Sequence, residues 1–204
     1  TGVVLKVNGS PVNASVMYQP GGAVKSTYIK RGLTPFGEYM PLRTLAEVIS
    51  PFAASVVDFE AGSELVTHKV AGADLGPIIC YEIIIDRLVS EMSDASSALI
   101  VQTNSATFSG TAESRQQLAI TRIRAKEYSR SILSASTIGI SAFIDSNGEV
   151  INQTEENIQA FLLGDLSLND HVTNATKWGA LNKIIILALL SFLGLLSLRK
   201  RGGL

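Results

Sequence analysis

Apolar and polar positions along this chain follow the period of strands in some stretches and the period of helices in others. Residues 3–8 and 14–18 read as short strands around the turn Asn8-Gly9-Ser10-Pro11, and 19–24, with Gly21 and Gly22, reads as a hairpin or tight turn. Residues 25–43 lose any period at Pro35, Gly37 and Pro41 and are predicted as an ordered loop, followed by a short helix over 43–50. Two extended segments are predicted within 64–80, the second ending at Cys80. A helix over 83–97 precedes the apolar run 98–104, which has the length of a buried strand. Leu118, Ile120, Ile123 and Ala125 stand among charges in a helix predicted over 113–131. Residues 132–151 read as strand, turn, strand, with Ser146-Asn147-Gly148 as the hairpin, and 160–168 as a last strand. Strands alternating with helices, together with hairpins, predict an α/β domain.

The pattern changes at the end of the chain. Residues 184–198 carry no charge, and 178–198 reach about the 20 residues that a bilayer requires. Lys183 lies near the start, where it can snorkel to an interface beside Trp178, and Arg199, Lys200 and Arg201 form a basic end. A core helix would show a polar face, and this stretch has none. It is therefore read as a transmembrane helix with its basic end cytoplasmic and the preceding domain on the other side. The organisation expected is a catalytic domain over 1–170, a linker over 171–177, the span over 178–198 and a tail over 199–204. The chain starts without Met on a stretch that reads like mid-domain strand, so a piece of a longer protein is expected.

Composition adds little beyond this. The 204 residues suffice for one sizeable core, and the mean hydropathy of +0.27 is raised by the apolar tail. With 17 basic and 18 acidic residues the net charge is −1, which gives no footing for a nucleic-acid partner. His68 and His171 are isolated, with no metal-ligand spacing, and no cofactor or metal is implied. Asn13 and Asn174 match a glycosylation sequon by chance. Arg122, Arg124 and Glu127 read as helix charges in salt bridges.

One cysteine rules out an internal disulfide and leaves two readings of Cys80: a small packed hydrophobe, or a nucleophile. It ends a strand-like run where the helix over 83–97 is about to begin, a place where backbone N–H groups would stabilise a thiolate. Lys30 lies in the Pro/Gly loop with Glu38 eight residues later. An ammonium near a thiolate lowers its pKa and can balance an oxyanion, while a nearby carboxylate can orient the lysine or move protons. Glu82 is read as a site carboxylate or a helix N-terminal charge, and Tyr81 as a site residue or core packing. Residues 104–110 have the small side chains of a loop.

Four blocks, "YIKRGLTPFGEYMPL" (28–42), "GPIICYE" (76–82), "VQTNSATF" (101–108) and "RIRAKEYSRSILSASTIGISAFIDSNGEV" (122–150), resemble the successive blocks of the carbon–nitrogen hydrolase (nitrilase) superfamily. They occur in the family's order over about 1–168, and they are most similar to the extracytoplasmic domain of its membrane-bound acyltransferase branch. The resemblance implies a nitrilase-like αββα sandwich and a Glu-Lys-Cys triad. The lysine falls on Lys30, an auxiliary Glu on Glu38 and the nucleophile on Cys80, with Tyr81 and Glu82 as a supporting pair. It places Asn104 and Phe108 beside the substrate, Phe108 touching lipid. The family's general base lies upstream of the Lys block, and no Glu precedes Glu38 here, so the chain by itself is expected not to turn over. The activity implied is acyl transfer from a phospholipid, through a Cys thioester, to the amine of a diacylglyceryl-cysteine lipoprotein at the outer face of a bacterial inner membrane. The alternatives are a membrane-tethered amidase or nitrilase, and a non-catalytic remnant.

Overall fold

The computed structural model describes residues 1–201, with side chains described at all of these except 51, 107, 180, 182, 183 and 194–201. β1 (Gly2–Val7) and β2 (Ser10–Tyr18) form a hairpin whose turn residues, Asn8 and Gly9, both adopt positive φ (50° and 93°), as a two-residue turn matched to strand twist requires. β3 (Val24–Ile29) adds antiparallel to β2, completing a three-stranded sheet. β3 lies inside the stretch expected to be a loop. Its sequence, VKSTYI, does not alternate, and pairing with β2 together with burial of Tyr28 makes it a strand.

A second, mixed sheet has the order β4-β5-β6-β7-β8-β9. β4 (His68–Val70) and β5 (Ala73–Ile79) are the two expected extended segments, and they pair antiparallel as a hairpin. β5, β6 (Ala98–Thr103) and β7 (Ile132–Ser136) are parallel neighbours, while β8 (Ala142–Ile144) and β9 (Val150–Gln153) extend the sheet antiparallel. Residues 132–151 thus contribute three strands rather than two, with the Ser146–Gly148 turn joining β8 to β9. Residues 160–168, expected as a strand, join neither sheet, and Phe161 and Leu163 are exposed. Apolar content without a strand to pair with does not make a ladder.

α1 (Arg43–Ile49) buries none of its residues. α2 (Asp86–Asp94) and α3 (Glu113–Tyr128) pack on the larger sheet, and Gly76 on β5 lets α2 come close, since a Cβ there would meet Met92 Cγ at 2.6 Å. Tyr28, Ile78, Ile83, Val89, Met92, Leu99, Val101, Ile132 and Ile144 form the shared core. α4 (Asn174–Arg201) rests against α2 and α3. The buried Arg130 guanidinium donates to the carbonyls of Ser93, Ser96, Tyr128, Ser129 and His171, tying the ends of α2 and α3 to the segment before α4. The described residues therefore supply one helix layer and two sheets. The second helix layer of an αββα sandwich, on the smaller sheet, is not formed among them.

The segment expected to span a membrane, 178–198, lies within one continuous helix. Among the described residues, however, no helix is long and apolar enough to cross a membrane. Residues 194–198 and the tail 199–204 fall outside those whose side chains are described.

His68 couples the two sheets. Its Nε2 lies 3.0 Å from Ser15 Oγ on β2 and its Nδ1 2.7 Å from Ser26 Oγ on β3. Burial holds its pKa below the usual 6.5. The unfolded chain then takes up a proton near pH 6.5 that the folded chain refuses. The contribution of His68 to stability is present in full above that pH and is lost as the pH falls below it. Urea midpoints are expected to drop between pH 7.5 and 5.5, and to drop less in His68→Gln.

Candidate active site

The parallel strands β5, β6 and β7 end on one edge, where open α/β sheets place their chemistry. β5 stops at Ile79, and Cys80 opens a 3₁₀ turn, Cys80–Ile84, with a φ of +50°. A side chain with a Cβ in that left-handed conformation costs about 1–2 kcal/mol, so the surrounding structure must hold it there. Glu82 does much of that holding. It is fully buried; its Oε2 accepts from Ile79 N–H at 2.8 Å, and its Oε1 accepts from Tyr28 O–H at 2.7 Å, Arg31 N–H at 2.7 Å and Gly32 N–H at 3.0 Å. Gly32 permits this approach, because a Cβ there would meet Ile85 Cδ1 at 2.5 Å and Glu82 Cγ at 3.2 Å. Burial, then the neighbouring carboxylate, push the Tyr28 phenol far above its ordinary pKa, so it stays a donor.

These contacts make Glu82 the bracket between the turn carrying Cys80 and the loop carrying Lys30. Glu82→Gln would set an amide N–H against one of these four donors. We expect a loss of about 1–3 kcal/mol in a denaturant titration, and slower alkylation of Cys80 at constant pH. Tyr28→Phe, which removes one donor only, should cost less.

Lys30 follows β3 directly and is 1% exposed. Its Nζ donates to Glu38 Oε2 at 2.6 Å and Oε1 at 2.8 Å, and to Thr34 Oγ1 at 3.2 Å. Glu38 is held in turn by Thr34 N–H at 2.7 Å and by the Asn13 side-chain amide. The loop 30–42 is thus ordered around a buried ion pair, which accounts for a lysine and a glutamate in an irregular Pro/Gly segment. Asn13, set aside at the sequence level as a chance sequon, is part of this cluster.

Cys80 is half-buried and near these groups. Burial pushes its thiol pKa up; the Lys30 charge and the Tyr81 N–H pull it down, and Glu113 and Glu38 add to the rise. This corrects the expectation of a thiolate stabilised at a helix N-terminus. The helix expected from 83 begins at Asp86, after the 3₁₀ turn, so its N–H groups are not beside the thiol. The thiol therefore needs a base, and Lys30 is positioned to stabilise the thiolate and a later oxyanion.

The structure brings Lys30, Glu38, Cys80, Tyr81 and Glu82 together. Tyr81 is half-buried and meets the thiol through its backbone N–H. Asn104 lies beyond the end of β6, where its Oδ1 accepts from Ala106 N–H and Thr137 O–H. It lines a cavity of about 480 Å³ between the sheets that also reaches Asn13, Ile79, Gln102, Thr103 and Ser136. Phe108 is half-exposed on the following 3₁₀ turn. Two neighbours went unnoticed in the sequence: Gln117, whose side-chain amide donates to Thr103 Oγ1 at 3.2 Å and to the Cys80 carbonyl at 3.5 Å, and Glu113, one turn earlier on α3. Only the fold brings α3 to Cys80. Among the described residues no group of three or more His, Cys, Asp or Glu could hold a metal ion.

A glutamate-braced lysine thus lies near a strained cysteine at a sheet edge. The carbon–nitrogen hydrolase family model matches residues 1–173, and the chain belongs to that family. Among curated proteins it is 34% identical over 175 residues to an apolipoprotein N-acyltransferase of Mycolicibacterium smegmatis, covering 85% of this chain and 29% of that protein. It is 30% identical over 196 residues to the enzyme of that name from Pseudomonas putida, covering 90% of this chain and 38% of that one. The chain thus spans roughly a third of these relatives' length. The fold is shared with the glutamine-dependent NAD⁺ synthetase of Acinetobacter baumannii (TM-score 0.62, 17% identity, 78% of this chain and 29% of that one). It is shared also with a branch-10 nitrilase-superfamily protein of Saccharomyces cerevisiae (TM-score 0.58, 16% identity, 78% and 55%).

Proposed function

We propose that this chain carries the nucleophile of an enzyme that moves an acyl chain from a phospholipid, through a thioester on Cys80, to the N-terminal amine of a diacylglyceryl-cysteine lipoprotein. The observation that carries the reading is Cys80 in its left-handed turn, under the charge of the buried Lys30–Glu38 pair. The names of the similar curated proteins support the choice of acyl transfer over other chemistry of the family. In the first half-reaction the thiol gives its proton to a general base, and the sulfur attacks the ester carbonyl. The C–S bond forms, the C–O bond breaks, and the lysophospholipid leaves with the proton. Lys30 faces the oxyanion throughout, fixed by Glu38 and Thr34. A thioester suits the second half, because thiolate is a good leaving group toward an amine.

Contact with lipid is supported at two places. On either side of Glu38, the side chains of Phe36, Leu42, Val48, Ile49 and Phe52 are all exposed, an apolar group close in sequence to the site. On α4, Ile184, Ile185, Ile186, Leu187, Leu189, Leu190, Phe192 and Leu193 are exposed in near-continuous sequence, hence all round the helix. We propose that α4 anchors the chain in a bacterial inner membrane, with the Cys80 domain on the extracytoplasmic side.

The test follows both products. The full-length protein is incubated with a phospholipid labelled in its acyl chain and a diacylglyceryl-cysteine peptide. Lysophospholipid and N-acylated peptide are expected in equal amounts. Labelled fatty acid without amide would mean that water is the acceptor, and would replace this reading with a hydrolase.

A further inference from the structure

The amine that completes acyl transfer reaches the site as an ammonium at neutral pH and cannot attack a thioester until it loses a proton. Three carboxylates from this chain lie around Cys80, and two are occupied. Glu38 is taken by Lys30, Thr34 and Asn13, and Glu82 by Tyr28, Arg31, Gly32 and Ile79. Glu113 differs from both: its Oε2 is buried and has no hydrogen-bond partner among the described residues. It lies one helical turn before Gln117, on the same face of α3, and the Gln117 amide reaches both the Cys80 carbonyl and Thr103 Oγ1. Its negative charge is also felt by the thiol. A buried carboxylate oxygen without a donor is costly, and it is most simply understood as waiting for one.

Resting on the acyl-transfer reading, we propose that Glu113 is the acceptor-side catalytic residue: its carboxylate binds the incoming primary ammonium and takes the proton that frees the amine to attack the Cys80 thioester. The balance is complete. The ammonium gives one proton to Glu113, and the amine nitrogen bonds to the carbonyl carbon. The C–S bond then breaks, and the departing Cys80 sulfur takes the second nitrogen proton, leaving an amide, a thiol and a protonated Glu113 that returns its proton to water. A cationic acceptor would also find a counter-charge here that water does not need, so Glu113 favours amine over hydrolysis.

The experiment loads Cys80 with p-nitrophenyl butyrate, whose activated ester bypasses the natural donor, and compares wild type with Glu113→Gln. Acylation, read by p-nitrophenol release at a pH above the alkylation midpoint of both proteins, where the thiol is ionised in each, is expected to stay within about twofold. Transfer to glycinamide is expected to fall about 10²-fold or more, while transfer to hydroxylamine, largely neutral at pH 7, should fall much less. In parallel, the pH midpoint for alkylation of Cys80 by iodoacetamide should move down in Glu113→Gln, because a charge that raises the thiol pKa is gone. Wild-type transfer to glycinamide by the variant would overturn the assignment, as would acylation falling in step with transfer, which would make Glu113 the thiol's base. An unmoved alkylation midpoint would show that Glu113 does not face the thiol. A wild-type acyl-enzyme that passes its acyl group only to water would instead overturn the acyl-transfer reading itself.

Discussion

Cys80→Ser is expected to form no stable acyl-enzyme and to lose turnover by about 10⁴-fold or more. A hydroxyl at this position meets the same Lys30 charge and the same Tyr81 N–H, so geometry alone does not rescue it. What changes is acidity. A thiol pushed up by burial still ionises far more readily than an alcohol in the same place, and sulfur is the better nucleophile once ionised. The left-handed backbone at Cys80 tolerates serine no worse than cysteine, so the variant should fold, with an unchanged denaturant midpoint. Phospholipid turnover and stability measured on one preparation separate lost chemistry from lost structure.

Lys30→Met should produce the second-largest effect, on both counts at once. Lys30 is buried against Glu38, and removing it leaves a carboxylate with only the Thr34 N–H and Asn13 amide as partners. Breaking a buried pair from one side costs about 3–5 kcal/mol, and the two remaining donors place this case near the low end. Acylation should fall a further 10²–10³-fold, roughly what one oxyanion-stabilising group supplies. The sign for Cys80 is also fixed. Lys30 pulls the thiol pKa down, so without it the alkylation profile moves to higher pH, opposite to the shift expected for Glu113→Gln. Lys30→Arg should not rescue, because a planar guanidinium does not fit the fully buried site shaped around a single ammonium and its three short contacts.

Much of the site was readable because its residues lie in short blocks. Lys30 and Glu38 share one loop, and Cys80, Tyr81 and Glu82 one turn, and it was the resemblance of these blocks to the family's that joined them; the residues alone left Cys80 open between packing and chemistry. The role of Glu82 was not readable. Its four donors come from β3, the Lys30 loop and β5, a convergence created by packing. The same holds for Asn13, which reaches Glu38 from another strand, and for Glu113 and Gln117 on α3. In the fold, the β1–β2 hairpin, the extended segments that become β4 and β5, and the buried β6 were legible because turn chemistry and period are local signals. β3 was hidden by polar residues at 25–27 and revealed only by its partner strand. α2 begins later than expected because the Glu82 side chain, bonded to Ile79 N–H, sustains a 3₁₀ turn where an α-helix was anticipated.

The most direct measurement is the intact mass of the full-length protein after brief incubation with a phospholipid of one known acyl chain. The account predicts a single added acyl mass, mapped by peptide sequencing to Cys80, removed by neutral hydroxylamine as a thioester should be, and absent from Cys80→Ser. An acyl group found on another residue, or turnover of phospholipid with Cys80 never modified, would contradict it.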